Sequence, residues 1–181
     1  PLLVGVFYLP PEWIAGHNKN LVATFIFSLA AITDWLDGYL ARTLNQTSSF
    51  GAFLDPVADK LMVATALIVL VWLGRVEGFI AAIIIGREIA ISALREWMAQ
   101  IGRSKSVAVS FLGKIKTVSQ MTAIILLLYH DRVFQLNYDD RYFELNAHAI
   151  GNFLIYVAAI LTLWSMAYYL KMALPDLTKE E

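Results

Sequence analysis

The chain has 181 residues, of which 59% are hydrophobic and 16% charged, with a mean hydropathy of +0.61. Soluble domains carry about 25% charged residues, so this balance points to an integral membrane protein, small enough for one domain over residues 1–181. The net charge of −1 says little, because in a membrane protein the distribution of charge matters more than its sum. The absence of cysteine excludes disulfides and cysteine metal sites, and three scattered histidines (His17, His130, His148) make a poor histidine metal site.

The chain opens on PLLVGVFYLP, with no basic leader or cleavage site before it, so a signal peptide is not the natural reading. The stretch is shorter than the about 20 residues that cross a hydrocarbon core. It reads as the end of a truncated first transmembrane helix. Five fuller hydrophobic segments follow, at about 20–42, 55–73, 78–101, 107–129 and 147–172. Each is long enough to span a bilayer. Their apolar runs are continuous rather than alternating, which favours helices over a barrel. The expected fold is an all-α, polytopic bundle.

Turn formers mark the short connections at Gly74, Gly102 and residues 45–49. The longest connection, 131–146, is polar and acidic, with Asp131, Asp139, Asp140 and Glu144 against Arg132 and Arg141. Arg42, Lys60, Arg103, Lys105, Lys171 and Lys179 fall on the other side of the membrane, which the positive-inside rule makes the cytoplasm. Trp13, Trp72 and Tyr129 fit an interfacial aromatic belt.

Four aspartates, Asp34, Asp37, Asp55 and Asp59, fall in one run, TDWLDGYLARTLNQTSSFGAFLDPVADK. A carboxylate in a membrane segment costs about 2.5–3.5 kcal/mol, so four cost on the order of 10 kcal/mol. Metal ions, water or positive partners must offset that. Asp34, Asp37, Gly38, Ala41 and Arg42 lie at i, i+3, i+4, i+7 and i+8, one stripe of a helix. Gly51, Asp55 and Asp59 make a second stripe if that segment is helical. Pro56 is either the first helical residue, with Asp55 as its N-cap, or a bend in a helix that begins earlier. Both geometries turn Asp55 and Asp59 toward the second helix.

Clustered oxygens without Cys or His suit Mg²⁺, Mn²⁺ or Ca²⁺. Two such ions are a known device for phosphoryl transfer. Gly38 and Ala41 leave room for a bulky ligand, and the guanidinium fork of Arg42 suits a diphosphate. The plainer reading of such acids is a set of buried ion pairs or an aqueous vestibule.

A second cluster is basic. Arg87 and Arg95 lie two turns apart on the fourth helix, and Lys114 and Lys116 early in the fifth, all among apolar neighbours. A phosphate-bearing acceptor needs such a cradle. Lys114 and Lys116 are two residues apart and point in different directions, so one of them reaches the phosphate. The alternatives are ion pairing with Glu88 or Glu96, or snorkelling to lipid headgroups.

The pattern D-x-x-D-G-x-x-A-R-x8-G-x-x-x-D-x-x-x-D, carried by Asp34, Asp37, Gly38, Ala41, Arg42, Gly51, Asp55 and Asp59, resembles the signature of the CDP-alcohol phosphotransferase family at every fixed position. FGAFLDPVADK, GREIAISALREW and SFLGKIKTVSQ are similar to the bacterial branch of that family that makes phosphatidylglycerophosphate. The resemblance runs from about 7 to 170 and is weakest in the acidic connection. It implies six transmembrane helices, a homodimer in the bacterial cytoplasmic (inner) membrane, and a site for two divalent ions, Mg²⁺ or Mn²⁺, open to the cytosol. It implies CDP-diacylglycerol as donor, sn-glycerol 3-phosphate as acceptor and CMP as leaving group, with no nucleic-acid partner.

Carried over residue by residue, the resemblance makes Asp34, Asp37 and Asp55 metal ligands and Asp59 a second-metal ligand and general base. Gly38, Arg42 and Ser48 become contacts to the CDP portion, Ser48 competing with a plain solvated loop serine; Ala41 on the first stripe and Gly51 on the second are counted with these binding residues. The family's juxtamembrane helix and the polar residues of its first transmembrane helix have no counterpart in this sequence. No Cys or His nucleophile stands near the acids, which favours direct attack over a covalent intermediate. Two rivals remain. One keeps the chemistry with another acceptor: inositol phosphate, serine or phosphatidylglycerol. The other is a divalent-cation carrier, against which Arg42 speaks, since it would repel the cargo.

Overall fold

The computed structural model describes residues 2–44, 49–100, 111–130, 132–138 and 141–177. Six helices run through them: α1 (Leu2–Tyr8), α2 (Gly16–Thr43), α3 (Ser49–Trp72), α4 (Gly78–Gln100), α5 (Phe111–Tyr129) and α6 (Ala147–Leu177). The fold is the expected all-α bundle. The connection between α5 and α6, read from sequence as a polar loop, forms an antiparallel hairpin of β1 (Arg132–Tyr138) and β2 (Arg141–Asn146). Tyr138 pairs with Arg141 and Gln135 with Glu144, so the backbone groups of this segment satisfy one another across the ladder.

Helix α3 begins six residues before the expected 55, at Ser49, and Pro56 lies inside it. Asp55 is therefore not an N-cap, and the second geometry for Pro56 is the one adopted. An interior proline is tolerated where neighbouring groups satisfy the freed carbonyl. Gly74 turns the chain between α3 and α4 at φ +68, a left-handed conformation open to glycine at no steric cost. The amide of Arg75 donates back to the Leu70 carbonyl at 2.9 Å and closes the helix end. The predicted start of the fifth helix, 107–110, lies outside the described residues, as do Gly102 and residues 45–48.

The core is built from Phe27 of α2, Leu67 and Leu70 of α3, Ile84 of α4, Ile124 and Leu127 of α5 and Ile155 of α6. Lipid tails are as apolar as leucine, so close packing rather than hydrophobic transfer must hold such helices together. Gly151 makes this visible: a Cβ there would sit 2.8 Å from Leu127 Cγ and 3.3 Å from the Ala123 carbonyl oxygen. Glycine lets α5 and α6 touch.

Outward faces are also apolar. Phe25, Ile68, Phe79, Ile89, Val118, Ile160 and Trp164 are exposed, and they come from all five long helices. Large exposed apolar surface is rare on soluble monomers and marks contact with lipid or protein. Among the described residues two segments, Gly16–Leu40 and Ala147–Lys171, are long and apolar enough to cross a membrane. Trp72 stacks on Tyr8 with ring centroids 6.0 Å apart, at one end of α3.

Candidate active site

Helices of alternating direction bring distant parts of the sequence to one end of the bundle. There the last third of α2, the first half of α3, the middle and later turns of α4, the first turns of α5 and the later turns of α6 meet. Between α3, α4, α5 and α6 lies a cavity of about 160 Å³. Asp59 and Lys60 reach it from α3, Arg87, Glu88 and Arg95 from α4, Lys116 and Gln120 from α5, and Tyr169 from α6. Asp59 of the acidic cluster thus shares this chamber with Arg87, Arg95 and Lys116 of the basic one.

Helical spacing explains the arrangement on α4. Arg87 and Arg95 stand at i and i+8, on one face, and both guanidinium groups rest against the buried Tyr169 ring, at 5.8 and 5.4 Å from its centroid. Arg95 Nη2 also donates to Tyr169 Oη at 3.3 Å. Arg87, only 7% exposed, donates from Nη2 to Ser165 Oγ at 2.8 Å and from Nη1 to Glu88 Oε1 at 3.3 Å. Ser165 Oγ in turn donates to the Thr162 carbonyl at 2.9 Å, which fixes its lone pairs toward Arg87. Arg87 Nε is buried and has no hydrogen-bond partner.

Lys116, 4% exposed, donates to the same Glu88 oxygen that Arg87 uses. A buried ammonium needs such a counter-charge. Of the two acids expected as possible ion-pair partners, Glu88 takes that role. Asp59, half-buried, lies in the electrostatic field of Asp34 from α2 and of Glu88, with Lys60 and Lys116 opposing them.

Lys116 reaches the chamber; the side chain of Lys114 lies outside the described ones. Asp34 and Asp37 are exposed near the end of α2, on one stripe with Gly38. On the same turns Trp35 stacks on Tyr39 with centroids 5.9 Å apart. Ala41, Arg42 and Asp55 lie on described helices, with side chains outside the described set, and Ser48 falls outside altogether. Gly51 is in the first turn of α3, half-buried. Among the described side chains, no three acids or histidines converge as a metal-binding group. The donor set of the signature nevertheless fits a hard divalent ion in its chemistry, being all carboxylate oxygen with no soft ligand.

Ser165, Tyr169 and Gln120 were not legible as site residues. The first two lie in an apolar helix far along the chain and look like packing. Gln120 carries a signal in retrospect: it is one turn beyond Lys116, on the same face of α5.

Comparison with known proteins accounts for nearly the whole chain. A family model described as CDP-alcohol phosphatidyltransferase matches residues 2–164. A CDP-diacylglycerol--glycerol-3-phosphate 3-phosphatidyltransferase of Salmonella choleraesuis (strain SC-B67) is 47% identical, with 98% of this chain and 89% of the relative covered. The protein of the same name from Escherichia coli (strain K12) is 46% identical over the same shares. The matched region contains both aspartate stripes and the arginine and lysine positions of the chamber, and so the chain belongs to the CDP-alcohol phosphatidyltransferase family.

Proposed function

We propose that this membrane protein is a transferase of phospholipid biosynthesis. It moves the phosphatidyl group of CDP-diacylglycerol to sn-glycerol 3-phosphate, giving phosphatidylglycerophosphate and CMP. The observation that carries the reading is the shared chamber: two carboxylates, Asp59 and Glu88, and four cations, Lys60, Arg87, Arg95 and Lys116, line one cavity. The family membership and the near full-length similarity to enzymes of that name support it.

In this reading the acceptor's phosphate sits on Arg87, Arg95 and Lys116. Charge-assisted hydrogen bonds from guanidinium and ammonium groups are the strong kind, and a planar guanidinium matches a phosphate edge. Bound there, the acceptor presents its free primary hydroxyl toward Asp59. Asp59 takes the proton as that oxygen attacks the phosphorus bearing diacylglycerol. The new O–P bond forms as the diphosphate bridge breaks, and CMP leaves with the electron pair. Asp34, Asp37, Asp55 and Asp59 would hold two Mg²⁺ or Mn²⁺ ions. Bound ions supply neutralisation of the donor's diphosphate and of the departing CMP. Gly38, Ala41, Arg42, Ser48 and Gly51 contact the nucleotide half of the donor.

The donor is lipid at one end and nucleotide at the other, so the reaction belongs at the membrane–water boundary. The protein is multi-pass in the bacterial inner membrane, its chamber faces the cytoplasm, and it works as a homodimer. The outward apolar faces of all five long helices support several crossings.

The test uses full-length enzyme in detergent with CDP-diacylglycerol and labelled glycerol 3-phosphate. Label should enter the lipid fraction with an equal amount of CMP released, stop in EDTA and return with Mg²⁺ or Mn²⁺. Label that stays in the aqueous phase, or full activity in chelator, would contradict the reading.

A further inference from the structure

Inside the chamber one polar group stands apart from the charge network. Gln120 is 5% exposed, it lines the cavity, and its Oε1 has no hydrogen-bond partner. Buried polar atoms are satisfied in the great majority of cases, and each exception calls for a cause. A leucine would fill the space without that cost, so the amide is retained for something that enters the cavity. Gln120 follows Lys116 by one turn on the same face of α5. Arg87, across the chamber, has a second orphan, the donor Nε. The cavity thus offers a neutral hydrogen-bonding amide beside the cationic cradle.

We propose that Gln120 reads the C2 hydroxyl of the acceptor. The inference rests on glycerol 3-phosphate being that acceptor. In this molecule the phosphate and the attacking primary hydroxyl lie at opposite ends, and the C2 hydroxyl lies between them. With the phosphate on the cations and the primary hydroxyl toward Asp59, the middle hydroxyl needs a partner within the same cavity. Gln120 Oε1 accepts from it. A hydroxyl both donates and accepts, so it pairs with either end of the amide. Gln120 then fixes the acceptor's rotation about the axis from phosphate to attacking oxygen, and makes the site selective for a glycerol rather than a plain alcohol phosphate. A site built to hydrogen-bond a hydroxyl discriminates strongly against an analogue lacking it, because its own polar group is left unpaired.

The experiment removes the interaction from each side. Full-length enzyme and its Gln120→Leu variant are assayed by CMP release with glycerol 3-phosphate and with 3-hydroxypropyl phosphate, which lacks only the C2 hydroxyl. In the wild type, kcat/KM for the deoxy acceptor should be lower by about tenfold or more. In Gln120→Leu, glycerol 3-phosphate should fall to the level of the deoxy acceptor, whose own value should change much less. Equal use of the two acceptors by the wild type, a comparison that needs no variant, overturns the assignment. So does an equal loss for both acceptors in Gln120→Leu, which marks a packing role. If glycerol 3-phosphate supported no CMP release at all, the functional reading itself would fail, a result distinct from either.

Discussion

Arg75 and Arg87 are both drawn into the helical bundle, one at the α3–α4 turn and one near the middle of α4, and they are held in different ways. Arg75 donates from Nη1 to the Leu127 and Leu128 carbonyls at 3.0 and 2.9 Å, and from Nη2 to Asn20 Oδ1 at 2.8 Å. Its guanidinium caps the end of α5 and ties it to the start of α2, as cations do at helix C-termini. Two of its partners are backbone oxygens, which cannot move without the helix. Arg87 instead holds two side chains, Ser165 and Glu88, and keeps Nε unpaired. Side-chain partners can exchange for a ligand. One arginine is mortar, and the other rests on the Tyr169 ring with partners that a ligand could replace.

This contrast can be broken most sharply at Asp59, the α3 carboxylate that lines the chamber with Arg87. Asp59→Asn should lower turnover by about 10²–10⁴-fold, the usual contribution of a general base. Binding of CDP-diacylglycerol should weaken far less. Near-normal turnover with divalent-ion binding intact would remove Asp59 from the chemistry. Next in size is the cradle. Arg87→Ala or Lys116→Ala should raise KM for glycerol 3-phosphate by roughly 10–150-fold, the loss of a charge-assisted hydrogen bond, while KM for the donor changes much less. A matching rise in both would make the cluster structural. The smallest effect on catalysis belongs to Arg75. Arg75→Ala should leave both KM values near wild type but lower thermal stability in detergent, since orphaned carbonyls at the end of α5 cost about 1–3 kcal/mol. A change in acceptor KM without loss of stability would erase the distinction between the two arginines.

The parts of the site that were readable from sequence are those in which charge contradicts its surroundings. Asp34, Asp37, Asp55 and Asp59 stand at helical spacing among apolar residues, and carboxylates there demand a reason. Arg87, Arg95 and Lys116 were readable on the same ground, and the chamber unites Asp59 with them. Neutral residues gave no such signal. Gln120, Ser165 and Tyr169 have the composition of ordinary packing, and only their placement against Arg87, Arg95 and Lys116 reveals their part. Pro56 left two helix starts open because a proline fits both a first turn and an interior bend; α3 extends back to Ser49. The hairpin was missed because the charges of 131–146 masked short alternating runs, RVFQLNY and RYFELN, separated by two aspartates. Strands of that length carry little periodic signal.

Recognition of a phosphate on the acceptor can be read from the ratio of kcat/KM for glycerol 3-phosphate over glycerol, in wild type and in Arg87→Ala. Wild type should strongly prefer the phosphorylated acceptor. In Arg87→Ala that preference should shrink by roughly 10–150-fold through loss of the phosphorylated acceptor, with glycerol little affected. A ratio unchanged by the substitution would contradict such recognition by the chamber, and so would a wild-type enzyme that uses glycerol as well as its phosphate.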